Sequence, residues 1–175
     1  MKFFDKSVII RPAKLDDAEQ IVAIYNHYVK DTIVTFDTDL KSSFEFRNEM
    51  MEVIKKCPYY VAEKEGQILG YAMATDWKSR CSYKYSVESS IYMDPSHKGK
   101  GIGYKLYFKL LKELKNTEIH AVIAGISLPN VVSVELHQKM GFEKIAHFKE
   151  VGYKFNRWID VGYWELIFPF RPEQS

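Results

Sequence analysis

The sequence predicts a single mixed α/β domain, and three observations carry that expectation. The chain has 175 residues, 46% of them hydrophobic, which suits one compact core. Short β-branched or aromatic runs are interspersed with stretches of helical apolar spacing. The run Ile119 to Ile126 (IHAVIAGI) is nearly all apolar, as a strand covered on both faces would be.

Taken from the N-terminus, Ser7 to Arg11 reads as a strand that Pro12 stops. Asp16 and Glu19 have the spacing of a capping pair, and Ile21, Ile24, Tyr25 and Tyr28 make one face of the helix that follows. Thr32 to Phe36 is a short β-branched run. Ser42 and Glu45 form a second capping box, with Phe46, Met50, Val53 and Ile54 as the apolar stripe of a helix ending before Pro58. Tyr59 to Glu63 and Gln67 to Thr75 read as strands joined by the hairpin turn Lys64-Glu65-Gly66. Tyr83 to Met93 reads as one long strand, and Gly103 to Leu114 as a helix with leucines at 106, 110 and 114. After the apolar strand, Asn130 to Met140 reads as a helix closed by Gly141, and Phe142 to Val151 and Val161 to Phe168 as the last two strands. The resulting order is β-α-α-β-β-β-α-β-α-β-β, in one domain whose core spans about 8–168.

Composition excludes several classes of function. With 25 basic and 23 acidic side chains the net charge is +2, which is no footprint for nucleic acid. The two cysteines, Cys57 and Cys81, form no C-x-x-C pair and have no histidine at ligand spacing, so no metal site is expected. Free thiols, a first ten residues broken by Lys2, Asp5 and Lys6, and the lack of any apolar run of spanning length lead to the expectation of a soluble cytoplasmic protein with no membrane partner.

The segment Lys98-Gly99-Lys100-Gly101-Ile102-Gly103 lies between a strand and a helix. Glycine admits close backbone approach and positive φ, and a helix N-terminus offers free N–H groups and a positive dipole end to an anion. Neither the P-loop nor the dinucleotide-binding spacing fits. From the loop alone two readings stay open, a phosphate cradle or a tight turn without ligand.

Context separates them. Lys98, Gly101 and Gly103 occupy the three specified places of the [Arg/Gln]-x-x-Gly-x-[Gly/Ala] pattern, so the segment resembles the acetyl-CoA loop of the GNAT superfamily of N-acetyltransferases. Ile10 to Ile21 (IRPAKLDDAEQI), Asp76 to Met93, Asn130 to Phe142 and Val151 to Trp164 are similar to the phosphinothricin acetyltransferase branch, whose members acetylate phosphinothricin and analogues such as methionine sulfoximine. The resemblance implies a single-domain GNAT fold, with a mixed, mostly antiparallel sheet flanked by about four helices. It implies acetyl-CoA as co-substrate, a small amino-acid-like amine as acceptor, direct transfer in a ternary complex, and a homodimer.

It also implies a set of site residues. For the cofactor these are Ile91, Tyr92 and Met93 along the strand, with a bulge and an oxyanion-binding N–H near Met93. To them it adds the loop residues Lys98, Gly99, Lys100, Gly101, Ile102, Gly103 and Tyr104, together with Asn130 and Ser133. Lys98 keeps the charge of the family's Arg but not its planar donors, so the grip there is expected to come from backbone first. Glu88 is the candidate general base; on the strand pattern alone it reads equally as an outward rim carboxylate. His137 either protonates the departing thiolate or accepts the amine proton, its plain alternative being a packed helix-face histidine. Asn130 either caps its helix or bonds the cofactor arm. Phe36, Trp77, Arg80 and Tyr83 are the expected acceptor pocket, Arg80 as a bidentate carboxylate clamp or else a solvated loop charge. Trp158, Asp160, Tyr163 and Trp164 read as core or interface. The competing functions are a protein N-terminal or lysine acetyltransferase, and a non-catalytic CoA-binding module.

Overall fold

The computed structural model describes residues 7–169. One seven-stranded sheet runs through the molecule in the order β1-β2-β3-β4-β5-β7-β6, and only β4 and β5 are parallel neighbours. The strands are β1 Ile9–Pro12, β2 Tyr59–Lys64, β3 Gln67–Asp76, β4 Ser86–Met93, β5 Ala121–Leu128, β6 Glu143–Lys154 and β7 Arg157–Ile167. The helices are α1 Ala18–Asp31, α2 Ser43–Ile54, α3 Ile102–Leu114 and α4 Val131–Lys139. The element order is the one the sequence predicts.

Two cores sit on opposite faces of the sheet. On one, Ile21, Ile24 and Tyr28 of α1 and Phe46 and Met50 of α2 pack on Tyr59, Val61 and Tyr71. On the other, Leu106, Tyr107, Leu110 and Leu114 of α3 pack on Val87, Val122, Ala124 and Trp164, with Val134 and Leu136 of α4 beside them. Full burial of one such aliphatic side chain stabilises the fold by roughly 1.5–3 kcal/mol.

Local signals fix most of the elements. Ser42 accepts a hydrogen bond from the Glu45 N–H at 3.2 Å, and Glu45 accepts one from the Ser42 N–H at 2.9 Å, the predicted capping box. In the β2–β3 turn Glu65 and Gly66 take φ of 52° and 81°, the left-handed pair a two-residue hairpin needs.

Several elements differ from the sequence reading, among them β6 and β7, which run to Lys154 and from Arg157 where the sequence predicts Val151 and Val161. Asp16 and Glu19 do not cap α1. A short 3₁₀ turn, Leu15–Asp17, precedes the helix, and Asp17 accepts the Lys14 N–H at 2.8 Å while pairing with Arg11 at 2.7 Å. β1 does end at Pro12, which is its last paired residue, tolerated there because β1 is an edge strand. Tyr83 is not in β4. Cys81–Tyr83 is a 3₁₀ turn held by Tyr83 N–H to Arg80 O at 2.9 Å, and β4 begins at Ser86, just after β3 ends at Asp76 and can pair with it.

Candidate active site

The site follows from how β4 and β5 part. Their pairing covers only Ser86↔Ala121, Val87↔Val122 and Glu88↔Ile123, although each strand has eight residues. Beyond Glu88 they diverge. The hydrogen bonds Trp77 N–H to Ser86 O (3.3 Å) and Asp94 N–H to Leu69 O (2.9 Å) show that the even-numbered residues of β4 bond to β3. The odd-numbered ones therefore turn their N–H and C=O toward β5. At Ile91 that backbone edge faces a gap in place of a strand. The cleft is lined by Ser89, Ser90, Ile91 and Tyr92 of β4, Gly125, Ile126 and Ser127 of β5, Asn130, Ser133 and His137 from α4 and its cap, and Val34 of the α1–α2 connection.

No bulge interrupts β4. The β3–β4 register is uniform from Asp76↔Val87 to Gly70↔Met93. The irregularity lies instead between β2 and β3, at Ala62/Glu63, where Leu69 is the extra residue. The Met93 backbone is also occupied: the Tyr28 hydroxyl donates to Met93 O at 2.5 Å and accepts from Met93 N–H at 3.3 Å. This places the open backbone edge at Ile91. Tyr92 touches the cleft, but its backbone pairs with Tyr71 and its ring stacks on Tyr71 at 5.2 Å.

The glycine loop has the geometry of an anion cradle. Gly99 and Gly101 take φ of 74° and 76°, in the left-handed region, and a Cβ at either would meet nothing within 4 Å. Gly101 caps α3, whose first N–H groups open outward beside Lys100 and Tyr104. Ile102, by contrast, is buried core. Gly103 serves packing: a Cβ there would stand 3.4 Å from Met93 Cγ, so α3 lies close on β4. The Lys98 ammonium sits 5.0 Å from the centre of the Tyr28 ring.

Glu88 is the last residue of β4 paired on both sides. Its carboxylate lies over Gly125, where a Cβ would be 3.3 Å from Glu88 Oε1 and 3.3 Å from the Tyr163 ring. Burial pushes the Glu88 carboxyl up from the ordinary carboxylate range, opposed by the charge of Lys78. His137 is 3% exposed, its ring edge-on to Phe142 at 5.1 Å and 4.9 Å from Tyr107. Its Nδ1 lies 2.8 Å from Ser133 O, a pure acceptor, so Nδ1 carries the hydrogen and Nε2 the lone pair. Burial pushes the imidazole down, which keeps it neutral at pH 7. Asn130 does cap α4, accepting the Ser133 N–H at 3.2 Å, and lines the cleft as well.

The expected acceptor residues are scattered more widely. The Trp77 ring meets Tyr163 edge-on at 5.8 Å, and the Lys78 ammonium lies 4.5 Å from the centre of the Trp77 ring. Phe36 packs directly on the bare backbone of Gly152, and Lys154 donates to Thr35 O at 2.8 Å, so the α1–α2 connection is pinned to the β6–β7 hairpin. Arg80 and Tyr83 are exposed, and the Arg80 side chain has no hydrogen bond or ion pair among the described residues. Asp160 shapes a bulge in β6, bonding Glu150 N–H at 2.9 Å and His147 Nε2 at 2.6 Å. Tyr28, bonded to Met93, and Ser127, in the cleft lining, are placed there by tertiary contacts alone, while Tyr163, read from the sequence as core or interface, stands over Gly125 with Glu88.

The Acetyltransferase (GNAT) domain family matches residues 10–162. The chain belongs to this family. Relatives of the GNAT acetyltransferase include a phosphinothricin N-acetyltransferase of Streptomyces viridochromogenes, 37% identical over 95% of this chain and 93% of the relative. Another is an L-methionine sulfoximine/L-methionine sulfone acetyltransferase of Salmonella typhimurium, 36% identical over 90% and 92%. Among solved structures, a GNAT superfamily phosphinothricin acetyltransferase from Sinorhizobium meliloti in complex with acetyl-CoA superposes with a TM-score of 0.91. It is 29% identical and covers 97% of this chain and 95% of that one. Among the described residues of the GNAT acetyltransferase, no group of His, Cys, Asp or Glu could hold a metal, and no helix is long and apolar enough to cross a membrane.

Proposed function

We propose that this acetyltransferase moves the acetyl group of acetyl-CoA to the primary amine of a small amino-acid-like acceptor, of the phosphinothricin or methionine sulfoximine type, in a ternary complex. The observation that carries the reading is the cleft where β4 leaves β5, with a half-buried carboxylate at its vertex and the glycine loop that starts α3 packed on β4 at Ile91 and Met93. The open edge at Ile91 fits an amide-bearing arm added like a strand. The N–H groups at Gly101–Tyr104 fit a pyrophosphate, with Lys98 and Lys100 adding charge, and Asn130 and Ser133 flank the arm. Bound there, acetyl-CoA supplies an electrophilic carbonyl carbon and a thiolate leaving group.

The remaining work falls to the protein. An amine is a nucleophile only after losing a proton, and Glu88 is the group that takes it, directly or through a water. Its raised pKa makes it a stronger base than a solvated carboxylate. The free edge at Ile91 is the donor nearest in kind to the oxyanion site expected at Met93. His137 faces the α4 side of the cleft as a neutral imidazole, which can accept a hydrogen bond or proton but has none to spare for the thiolate. Phe36, Trp77 and Tyr163 wall the acceptor side.

The chain is read further as a cytoplasmic homodimer. In support, Phe148, Val151, Tyr153, Phe155 and Trp158 of the β6–β7 hairpin are each more than half exposed at the sheet edge, and Cys57 and Cys81 are free thiols. Sedimentation of the wild type against Trp158→Asp tests the dimer. The function is tested by following thiol release from acetyl-CoA with a panel of amino acids, including phosphinothricin and methionine sulfoximine, and with peptides and polyamines. Turnover of the two analogues is expected. Turnover of peptides alone, or of nothing, would overturn the reading.

A further inference from the structure

We propose that the Ser127 hydroxyl binds the α-carboxylate of the acceptor amino acid and so selects amino acids over simple amines. The inference rests on the function above.

Side chains alternate along β5. Val122, Ala124 and Ile126 enter the core under α3. Ile123, Gly125 and Ser127 therefore face the other side of the sheet, which is the side of the Glu88 carboxylate and the Tyr163 ring above Gly125. Ser127 is 5% exposed, and its Oγ has no hydrogen-bond partner among the described residues. It nevertheless lines the cleft, together with Val34 of the α1–α2 connection. A hydroxyl buried without a partner destabilises a fold, so a position that keeps one needs a reason outside the folded chain.

Distance supplies the reason. Two residues along a strand span about 7 Å, so Ser127 lies about that far from Gly125, beneath Glu88. An α-amino acid carries its amine and its carboxylate on the same carbon. With the amine at Glu88, the carboxylate reaches along β5 toward Ser127, and one hydrogen bond closes the remaining gap. A hydroxyl donating to a carboxylate makes a charge-assisted bond. The cofactor's own polar partners, Asn130, Ser133 and His137, come from α4 on the opposite face of the sheet. Arg80, the clamp expected from the sequence, is exposed and unengaged.

The test titrates L-methionine sulfoximine, and the same molecule lacking its carboxylate, into enzyme saturated with CoA. Wild type, Ser127→Ala and Ser127→Thr are compared by calorimetry. For Ser127→Ala, affinity for the amino acid should fall about tenfold or more. Affinity for the decarboxylated amine and for CoA should not change, and Tm should stay equal or rise, because an unpartnered hydroxyl has been removed. Ser127→Thr, which keeps the hydroxyl, should bind the amino acid within a few-fold of wild type. Unchanged affinity of Ser127→Ala for the amino acid overturns the proposal, as does an equal loss for the decarboxylated amine or a loss for CoA. Wild type that binds the amino acid but releases no thiol condemns the reading of the function while the comparison of affinities still stands.

Discussion

Gly101→Ala separates the two uses of glycine in the loop. Gly101 sits at φ 76° and ψ 0°, and a Cβ built there meets nothing within 4 Å. The substitution therefore adds no clash, and its whole cost is that of holding an L-residue in the left-handed region, about 1–2 kcal/mol. For a domain of this size that lowers Tm by about 2–8 °C. If the loop relaxes to avoid the cost, binding must restore it, and affinity for CoA weakens by about 5- to 30-fold. Gly103→Ala is the control. Its φ is not positive, its Cβ would approach only the flexible Met93 side chain at 3.4–3.5 Å, and alanine is favoured over glycine inside a helix by about 0.5–1 kcal/mol. It should melt at or above the wild-type temperature with CoA affinity little changed. Thermal melts by circular dichroism and calorimetric titration with CoA read both effects. A Gly101→Ala protein with wild-type Tm and wild-type affinity would refute the account of the loop.

Glu88→Gln should lower kcat by about 10²–10⁴-fold with CoA affinity intact; an unchanged rate removes Glu88 from the mechanism. Because burial raises the Glu88 pKa, the native state prefers the protonated form, and stability falls as pH rises from the unfolded pKa through the folded one. Glu88→Gln should thus raise Tm at pH 8 and not at pH 4, and the acid limb of the wild-type kcat profile should sit above the ordinary carboxylate range. His137 has the opposite sign: its pKa is depressed, so stability present at pH 8 is lost as pH falls through 6.5 toward the folded value. His137→Phe, which keeps the ring contacts with Tyr107 and Phe142, should flatten Tm between pH 7 and 5; a slope equal to wild type would show that His137 does not titrate in the native state. Gly152→Ala should displace Phe36 from the hairpin and raise KM for the acceptor as Phe36→Ala does, with KM for acetyl-CoA unchanged; a wild-type acceptor KM would detach Phe36 from the pocket wall.

What could be read from the chain was local. The Ser42–Glu45 box, the left-handed turn at Glu65-Gly66 and the glycine loop each depend on a few consecutive residues, so spacing reveals them. The start of β4 depends instead on where β3 ends, and the aromatic residues Tyr83 and Tyr85 before Ser86 could not indicate that. Trp158 and Trp164 make the same point. They have the same parity on β7 and so face the same side, yet Trp164 is buried under the helices while Trp158 is 61% exposed. The reason is that β5 pairs with β7 only from Asp160 onward, leaving the hairpin tip beyond the covered sheet. The Tyr28 hydroxyl joins Met93 from far away in sequence, the Ser127 hydroxyl has no partner in a cleft shared with the distant Val34, and no periodicity encodes either.

The parting of β4 and β5 also explains why one carboxylate can be both fixed and accessible. Glu88 pairs with Thr75 on one side and Ile123 on the other, so its backbone is held as firmly as any in the sheet. The next residues keep β3 as a partner and lose β5, which frees one edge without loosening the strand. A proton acceptor needs a constant position relative to the reacting atoms, and a ligand arm needs unsatisfied N–H and C=O groups. With Glu88 as the proposed acceptor at the vertex and the free edge just beyond, both needs are met by eight residues of one strand. The glycines then extend the same device: Gly125 clears space under Glu88, Gly103 brings α3 close on Met93, and Gly101 starts α3 from a left-handed residue with no side chain over its N–H groups. A side chain at Gly125 would press on Glu88 and Tyr163, and one at Gly101 would hold a strained left-handed backbone, so the site's character lies in backbone that the sequence marks mainly by what it omits.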